Sequence, residues 1–485
     1  MRTEPASGAP ALVGAVRTWA LEQRPDLREA VQTFWGRLAL VAVFTALAQW
    51  GGLSAVYVLA AAAFAYAPAQ RTWIALGAAA VALVRQSDPW LERLAPVLAE
   101  SALAPSQAKA LTLAMLALYL AAAWAALAWT HRQPDFFLAR RPVLLQASAC
   151  LLLAVLASLA ALPGALRLAV WVLLCVAGTQ MWMLAYALQD RRTQVPVALA
   201  QQMAWFHPFW RASMGSLAPT PFGKGAAFLR RHQAQTGDEL ALTQIKALKL
   251  LTWALVLAGL NAGLLQLAGW LGVPPAEAVF EAFVAGRPHA WGLNWASLIV
   301  SAANAALALA VVGHKIVAVA RLAGFRLPRN TWRPLEARTL AEFWNRYYYY
   351  FKELLVDFFF YPTFFRLFRR HPRLRVFVAT FMAAGVGNAL FHFLRDIHLV
   401  AILGWRDAVA GYLGNVFYCT VLAVGIGVSQ ARLSAGRRLG NGWLARLWQG
   451  LCVWGFFVVL RVFGEESRHF SFSDRLGFFF NLWGM

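Results

Sequence analysis

Apolar runs long enough to cross a bilayer recur along this chain, and they decide what it folds in. The clearest are Leu111–Thr130, Val143–Leu162, Leu166–Leu188, Leu248–Val273, Leu293–Val312, Val376–Leu394, Ala408–Val428 and Leu444–Leu460. A spanning helix needs about 20 mostly apolar residues to cross a hydrocarbon core of about 30 Å. Three further blocks, Leu38–Trp50, Leu53–Ala67 and Trp73–Val84, are shorter and are interrupted by Gly51-Gly52 and Pro68. They fit either two tilted helices or one helix with a re-entrant pair. The 485 residues are 60% hydrophobic and 14% charged, against roughly 45–50% and 25% in soluble domains. Disorder, collagen, a disulfide scaffold and a water-soluble enzyme are thereby excluded. The expected fold is an all-α polytopic membrane protein with roughly nine to eleven transmembrane helices plus re-entrant or interfacial helices.

Charge supports the same reading. Lys and Arg exceed Asp and Glu by 44 to 22, an excess that in a soluble protein would suggest nucleic acid. Here the cations sit between apolar blocks, at Arg191-Arg192, Arg230-Arg231, Arg366 to Arg375 and Arg437-Arg438. That is the positive-inside pattern of cytoplasmic loops facing an anionic leaflet. The expected setting is a multi-pass cell (inner) membrane, with membrane lipids and not nucleic acid as partners. Cys150, Cys175, Cys419 and Cys452 lie in apolar blocks without ligand spacing, so no disulfide framework or metal site is expected.

The chain divides into an N-terminal interfacial segment (1–37), a transmembrane bundle (38–320) with a polar loop at 189–246, an aromatic stretch (321–373), C-terminal membrane helices (374–462) and a tail (463–485). The segment 1–37 lacks the short apolar core and cleavage site of a signal peptide. Trp205, Phe206, Phe209 and Trp210 give the polar loop a cluster suited to the headgroup level. No internal repeat is visible, which argues against an inverted-repeat transporter.

Residues Arg326 to Arg375 do not read as a spacer. Four consecutive tyrosines, Tyr347 to Tyr350, and many phenylalanines surround Glu342, Arg346, Lys352, Glu353 and Asp357. At helical spacing Glu342 and Arg346 attract, whereas Glu353 and Asp357 repel. Composition alone gives an amphipathic helix with aromatic anchors. Arg346 and Asp357 should be buried and partnered, since an unpaired charge at membrane depth costs about 2.5–3.5 kcal/mol on insertion scales. Pro362 should end the aromatic helix, because its ring and missing N–H disrupt the preceding turn.

The order of these residues resembles the signature of the membrane-bound O-acyltransferase (MBOAT) family, in the branch that O-acetylates alginate and D-alanylates teichoic acids. The match runs without a gap through Arg321, Gly324, Phe325, Pro328, Asn330, Pro334, Thr339, Glu342, Phe343, Trp344, Arg346, Leu355, Asp357 and Pro362. The resemblance covers residues 321–396, under a fifth of the chain. It implies a cytoplasm-facing re-entrant element that lines a reaction chamber. The sequence departs from the family at Tyr347, Tyr348, Tyr349, Tyr350, Phe351, Lys352 and Val356. At the place of Tyr348 many members carry an Asn or His that assists the catalytic histidine; Asn345, three residues earlier, is a candidate substitute.

The family's second signature, a buried histidine in a membrane helix, is similar to Thr380 through His392. Aligned without gaps, the family histidine falls on Asn388, and His392 lies one helical turn later on the same face. Acyl transfer to a hydroxyl needs a base to take its proton, and imidazole, with a pKa near ~6.5, suits that task. An Asn can only orient a reactant or stabilise an oxyanion. The expected site therefore sets Asn388 and His392 on an internal cavity, with Asn345, Tyr348 and Lys352 as the opposite wall and Arg346 and Asp357 as substrate-binding or structural groups. Arg395 and Asp396 mark the helix end as a hydrated ion pair; His314 and Lys315 supply an unspecific chamber contact.

The resemblance implies an O-acyltransferase that moves an acyl group to a hydroxyl of a glycan, lipid or similar acceptor. Its co-substrate would be acyl-CoA or an acyl-carrier thioester, with no tightly bound cofactor, and its partner an acyl carrier or an envelope-biosynthesis protein. Two other readings stay open: a catalytically degenerate MBOAT-fold scaffold or lipid-binding component, and a transporter or flippase.

Overall fold

In a computed structural model the chain is described over residues 21–85, 88–159, 162–193, 195–206, 221–436 and 440–484. Among these residues the protein is all-helical, with one isolated antiparallel bridge, Gln233 to Phe325, and no strand. The principal helices are α1 (Phe34–Trp50), α2 (Pro105–Arg132), α3 (Gly164–Gln189), α4 (Gly237–Trp270), α5 (Trp291–Leu322), α6 (Leu340–Tyr347), α7 (Tyr349–Leu355), α8 (Pro372–Thr380), α9 (Asn388–Arg395), α10 (His398–Ser434) and α11 (Trp443–Leu460). Seven spans are long and apolar enough to cross a bilayer: α2, α3, α4, α5, the continuous run from α8 through α9, α10 and α11. An eighth is the pair Pro25–Gln32 and α1, bent by 100°. The expected nine to eleven is reached only if the shorter apolar helices Ala55–Tyr66 and Pro142–Ala157 are included. Gly52, at φ +75°, makes the turn that separates α1 from Ala55–Tyr66, in a backbone region that residues with a Cβ disfavour.

The polar stretch 189–246 is less loop-like than its composition suggests. It contains the helices Leu199–Phe206 and Ala226–Arg231, and α4 has already begun at Gly237. Thr236 starts α4 by accepting a hydrogen bond from the Glu239 N–H at 3.1 Å, with Asp238 and Glu239 in the favourable first turn. Phe209, Trp210 and Arg437-Arg438 lie outside the described residues, as do the first 20 positions of the interfacial segment.

One helix organises the bundle. In α3, 83% of the apolar window is buried within the protein, against 11–44% in the other spans, so most apolar faces turn outward and α3 is the core. It approaches α9 closely at Gly178, where an added Cβ would lie 2.8 Å from the Leu394 carbonyl oxygen. Above this crossing Trp182 packs on Phe391 and Phe359, with ring centroids 5.7 and 6.2 Å away. A second core joins α1, Ala55–Tyr66, α4 and α5. There Asn261 donates to Asn304 at 2.9 Å across the α4–α5 pair, the type of interhelical bond that membrane helices use in place of hydrophobic drive.

The α3–α9 crossing predicts a contrast between two glycines. Gly178→Ala should lower stability by about 1–3 kcal/mol, because the backbone opposite cannot move aside. Gly259→Ala, where an added Cβ meets nothing within 4 Å, should be neutral or stabilising by about 0.5–1 kcal/mol. Thermal unfolding of the two variants in detergent measures both.

Candidate functional site

The aromatic stretch folds into the bundle because a strap before it is tied down at many points. Gly324, at φ +85°, turns the chain out of α5, and the Arg71 Nε donates to the Ala323 carbonyl at 2.5 Å. Arg321 donates through Nε and Nη2 to the Leu327 carbonyl at 3.0 and 2.7 Å. Asn330 occupies space that Gly313 leaves free, where a Cβ would stand 2.7 Å from the amide nitrogen. Its carbonyl accepts from the Tyr349 N–H at 2.9 Å and its Oδ1 from the Tyr350 N–H at 3.3 Å. These bonds cap the start of α7, where Tyr348 interrupts the helix with φ −140° and ψ 75°.

Several residues of the resembled pattern thus have backbone work. Thr339 caps α6 by accepting from the Glu342 N–H at 3.0 Å. Glu342 accepts from the Arg338 N–H at 2.9 Å and from Arg346 Nη2 at 2.6 Å. Arg346 is partnered as expected, by Glu342 and by Glu336 at 3.5 Å, but its side chain keeps 26% of its exposure and is only half-buried. The i,i+4 partner lies on the same outer edge of a short helix, so no burial is needed to satisfy it.

Beyond α7 the chain widens into a π-helical turn, Val356–Phe360, which faces a second one, Phe381–Gly387, between α8 and α9. Such turns occur as single-turn insertions in α-helices, frequently at functional sites. They meet where Gly387 lacks a side chain: a Cβ there would sit 2.6 Å from the Phe359 ring. Pro362 does not end the helix. It lies in the first turn of Tyr361–Phe364, directly after the π turn. The backbone stays helical through it, with the Tyr361 N–H bonded five residues back to the Val356 carbonyl, so the π turn already departs from the i→i−4 ladder that the proline would break.

Four charges gather on this element. Lys224, whose side chain is only 7% exposed, lies 3.3 Å from Glu353 and 3.4 Å from Asp357. Lys352 lies 2.6 Å from Glu353, and the Tyr186 hydroxyl donates to Asp357 at 2.7 Å. Asp357 is therefore partnered, though half-buried and not buried. The repulsion expected between Glu353 and Asp357 is cancelled by the cation set between them. Burial favours the neutral form of Glu353, but the Lys352 hydrogen bond and the Lys224 charge outweigh it and hold the carboxyl below its ordinary value. Burial, with the nearby Glu353 and Asp357 charges, pushes Tyr349 up to about 12, so it is no acid or base near neutrality.

Lys224 sits in Gly223-Lys224-Gly225, and both glycines are required. A Cβ on Gly223 would meet Met183 Cγ at 2.7 Å, and Gly225, at φ +93°, faces Asp190 Oδ1 at 2.6 Å from its missing Cβ. The buried Asp190 carboxylate accepts from the Ala226 and Ala227 N–H groups at 2.8 and 3.3 Å. The end of α3 thereby fixes the loop that delivers the lysine. Lys224, Tyr186 and Asp190 were not singled out in the sequence; the lone lysine between two glycines was the available signal.

The expected site residues divide among several cavities and the core. Asn345, Lys352, Glu353, Thr380 and Gln430 line one cavity of 250 Å³. Asn345 and Arg346 line another of 320 Å³, with Arg321, Arg329, Asn330 and Tyr349. Asn388 and His392 line neither of these two. Asn388 is 2% exposed, and its Oδ1 has no donor among the described residues. His392 is half-buried, edge-on to Phe391 at 5.6 Å. Tyr348 packs on Phe351 at 5.4 Å. Asn388 and His392 do share one face of α9, one turn apart, as their spacing predicts. Arg395 and Asp396 do stand at the end of α9, but as a buried pair with side chains 8% and 12% exposed. His314 is buried, its Nδ1 2.6 Å from the Ala310 carbonyl. Among the described residues no group of three or more His, Cys, Asp or Glu is placed to hold a metal ion. Compared with known proteins, the chain matches no family model and no curated sequence.

Two predictions follow from the charge cluster. Lys224→Met leaves Glu353 and Asp357 facing each other and should cost on the order of 2 kcal/mol, less than the ~3–5 of a fully buried pair because both carboxylates keep some water. Thermal unfolding at neutral pH reads it. A carboxyl held below its unfolded value adds stability above that value and loses it as pH falls through its own depressed one. Wild type should therefore lose stability as pH falls below about 5, and Glu353→Gln, less stable at pH 7, should lose less over the same fall.

Proposed function

We propose that this chain is an MBOAT-like membrane O-acyltransferase that moves an acyl group from a thioester to a hydroxyl acceptor. The reading rests on one observation. The segment carrying the family-like pattern is folded into the bundle, and it joins the helix carrying Asn388 and His392 at paired π turns, with a polar cavity opening beside them. In this reading His392 takes the hydroxyl proton as the oxygen attacks the acyl carbonyl, and the thiolate leaves. Asn388 orients a reactant or stabilises the oxyanion.

A specific observation favours a second reading, a catalytically degenerate protein that keeps the fold to bind lipid or acyl chains. Asn388 stands at the position of the family base without a titratable group, and His392 lies off both cavities next to the aromatic helix. Release of CoA thiol from a long-chain acyl-CoA, measured in membranes containing the protein, separates the two. The first reading expects release above control membranes and a loss of about 10²–10⁴-fold in His392→Ala. Thiol release equal to control supports the second. Activity retained in His392→Ala but lost in Asn388→Ala would leave transfer in place and remove His392 as the base.

A further inference from the structure

A further cavity belongs to neither of the sites above. A groove of 960 Å³ runs between α4, α5 and α11, at the upper end of the ~300–1,000 Å³ range of small-molecule sites. Its walls are apolar for most of their length, with Trp253, Trp295, Leu307 and Val458 among small alanines. Along α5 it extends from Trp295 to His314, which at ~1.5 Å per residue is about 28 Å, close to the ~30 Å depth of a hydrocarbon core.

One end differs. There the strap after α5 contributes Arg329, Thr331, Arg333 and Glu336. Arg333 and Glu336 are ion-paired with each other, so their charges offset. Arg329 is half-buried, lies over the Trp332 ring at 5.4 Å, and has no carboxylate within 4 Å among the described residues. It also lines the neighbouring 320 Å³ cavity with Arg321 and Arg346. A single arginine therefore joins a long apolar groove to a basic polar pocket. That pairing is complementary to an amphiphile with one anionic end, and the setting among membrane helices supplies one from the bilayer.

We infer that the groove between α4, α5 and α11 holds an anionic phospholipid, its chain along α5 and its phosphate on Arg329 at the mouth of the basic pocket. Arg forks match phosphate oxygens in a bidentate way that a neutral residue does not. The site stands apart from Asn388 and His392, so it holds whether or not the chain transfers acyl groups.

Native mass spectrometry of the full-length protein, released from micelles containing equal phosphatidylglycerol and phosphate-free diacylglycerol of the same chains, tests it. Wild type should retain phosphatidylglycerol at least about tenfold over diacylglycerol, the ratio expected from one charge-assisted contact of about 1.5–3 kcal/mol. Arg329→Gln should level that ratio, Arg329→Lys should keep most of it, and Ala303→Trp, which fills the groove, should reduce retention of both lipids. Equal retention in wild type, or an unchanged preference in Arg329→Gln, would overturn the proposal. So would displacement of the lipid by millimolar inorganic phosphate alone, which would make this an anion site without a lipid. Acyl-CoA turnover in Arg329→Gln separates this result from failure of the transferase reading.

Discussion

A charge carried into a membrane bundle must meet its counter-charge there, and the aromatic element owes its place to that requirement. Lys224 is brought by a loop that Asp190 anchors, and it lies between two carboxylates that would otherwise repel each other on one helix. Tyr186, from the central helix, closes the group by donating to Asp357. The cluster ties three separate parts of the sequence together: the end of α3, the loop before α4, and α7 with its π turn. Without it, Phe351, Phe358 and Phe359 would carry two uncompensated carboxylates against the core.

Packing at missing side chains does the rest. Gly178, Gly387 and Gly313 each stand where another group already fills the space a Cβ would take: the Leu394 carbonyl, the Phe359 ring and the Asn330 amide. These contacts set how closely α3, α9 and the strap approach. They also explain why much of the resembled pattern is structural in this chain. Arg321, Asn330, Thr339 and Glu342 hold backbone groups that the turns leave open, whatever chemistry the neighbouring cavities perform.

How much of this was legible in the sequence depended on range. The spans were read from apolar runs because a bilayer requires them, whereas the composition of residues 326–375 gave an amphipathic helix with aromatic anchors, which in the fold is divided into several short helices. Thr339 and Glu342 announce a helix start in plain sequence terms. Lys224 did not announce itself, since its carboxylates lie 129 and 133 positions away and only the fold brings them together. Asn388 and His392 share one face of α9 as their spacing predicts, because the helix is α-helical from Asn388 onward. Pro362 was misplaced, because nothing in the sequence marks the π turn at Val356–Phe360 just before it.

The cavities separate the chemistry that each reading needs. The polar one beside Lys352 and Glu353 suits a small polar group, whereas the long groove on α5 suits a chain. The polar cavity depends on residues 340–364 being folded into the bundle by the cation at 224. Amide hydrogen exchange of the full-length protein in lipid nanodiscs measures that state directly. The account predicts that amides of α7 exchange as slowly as those of α3, and that Lys224→Met speeds exchange in α7 while leaving α3 protected. Exchange in wild-type α7 at the rate of a solvated loop would contradict it.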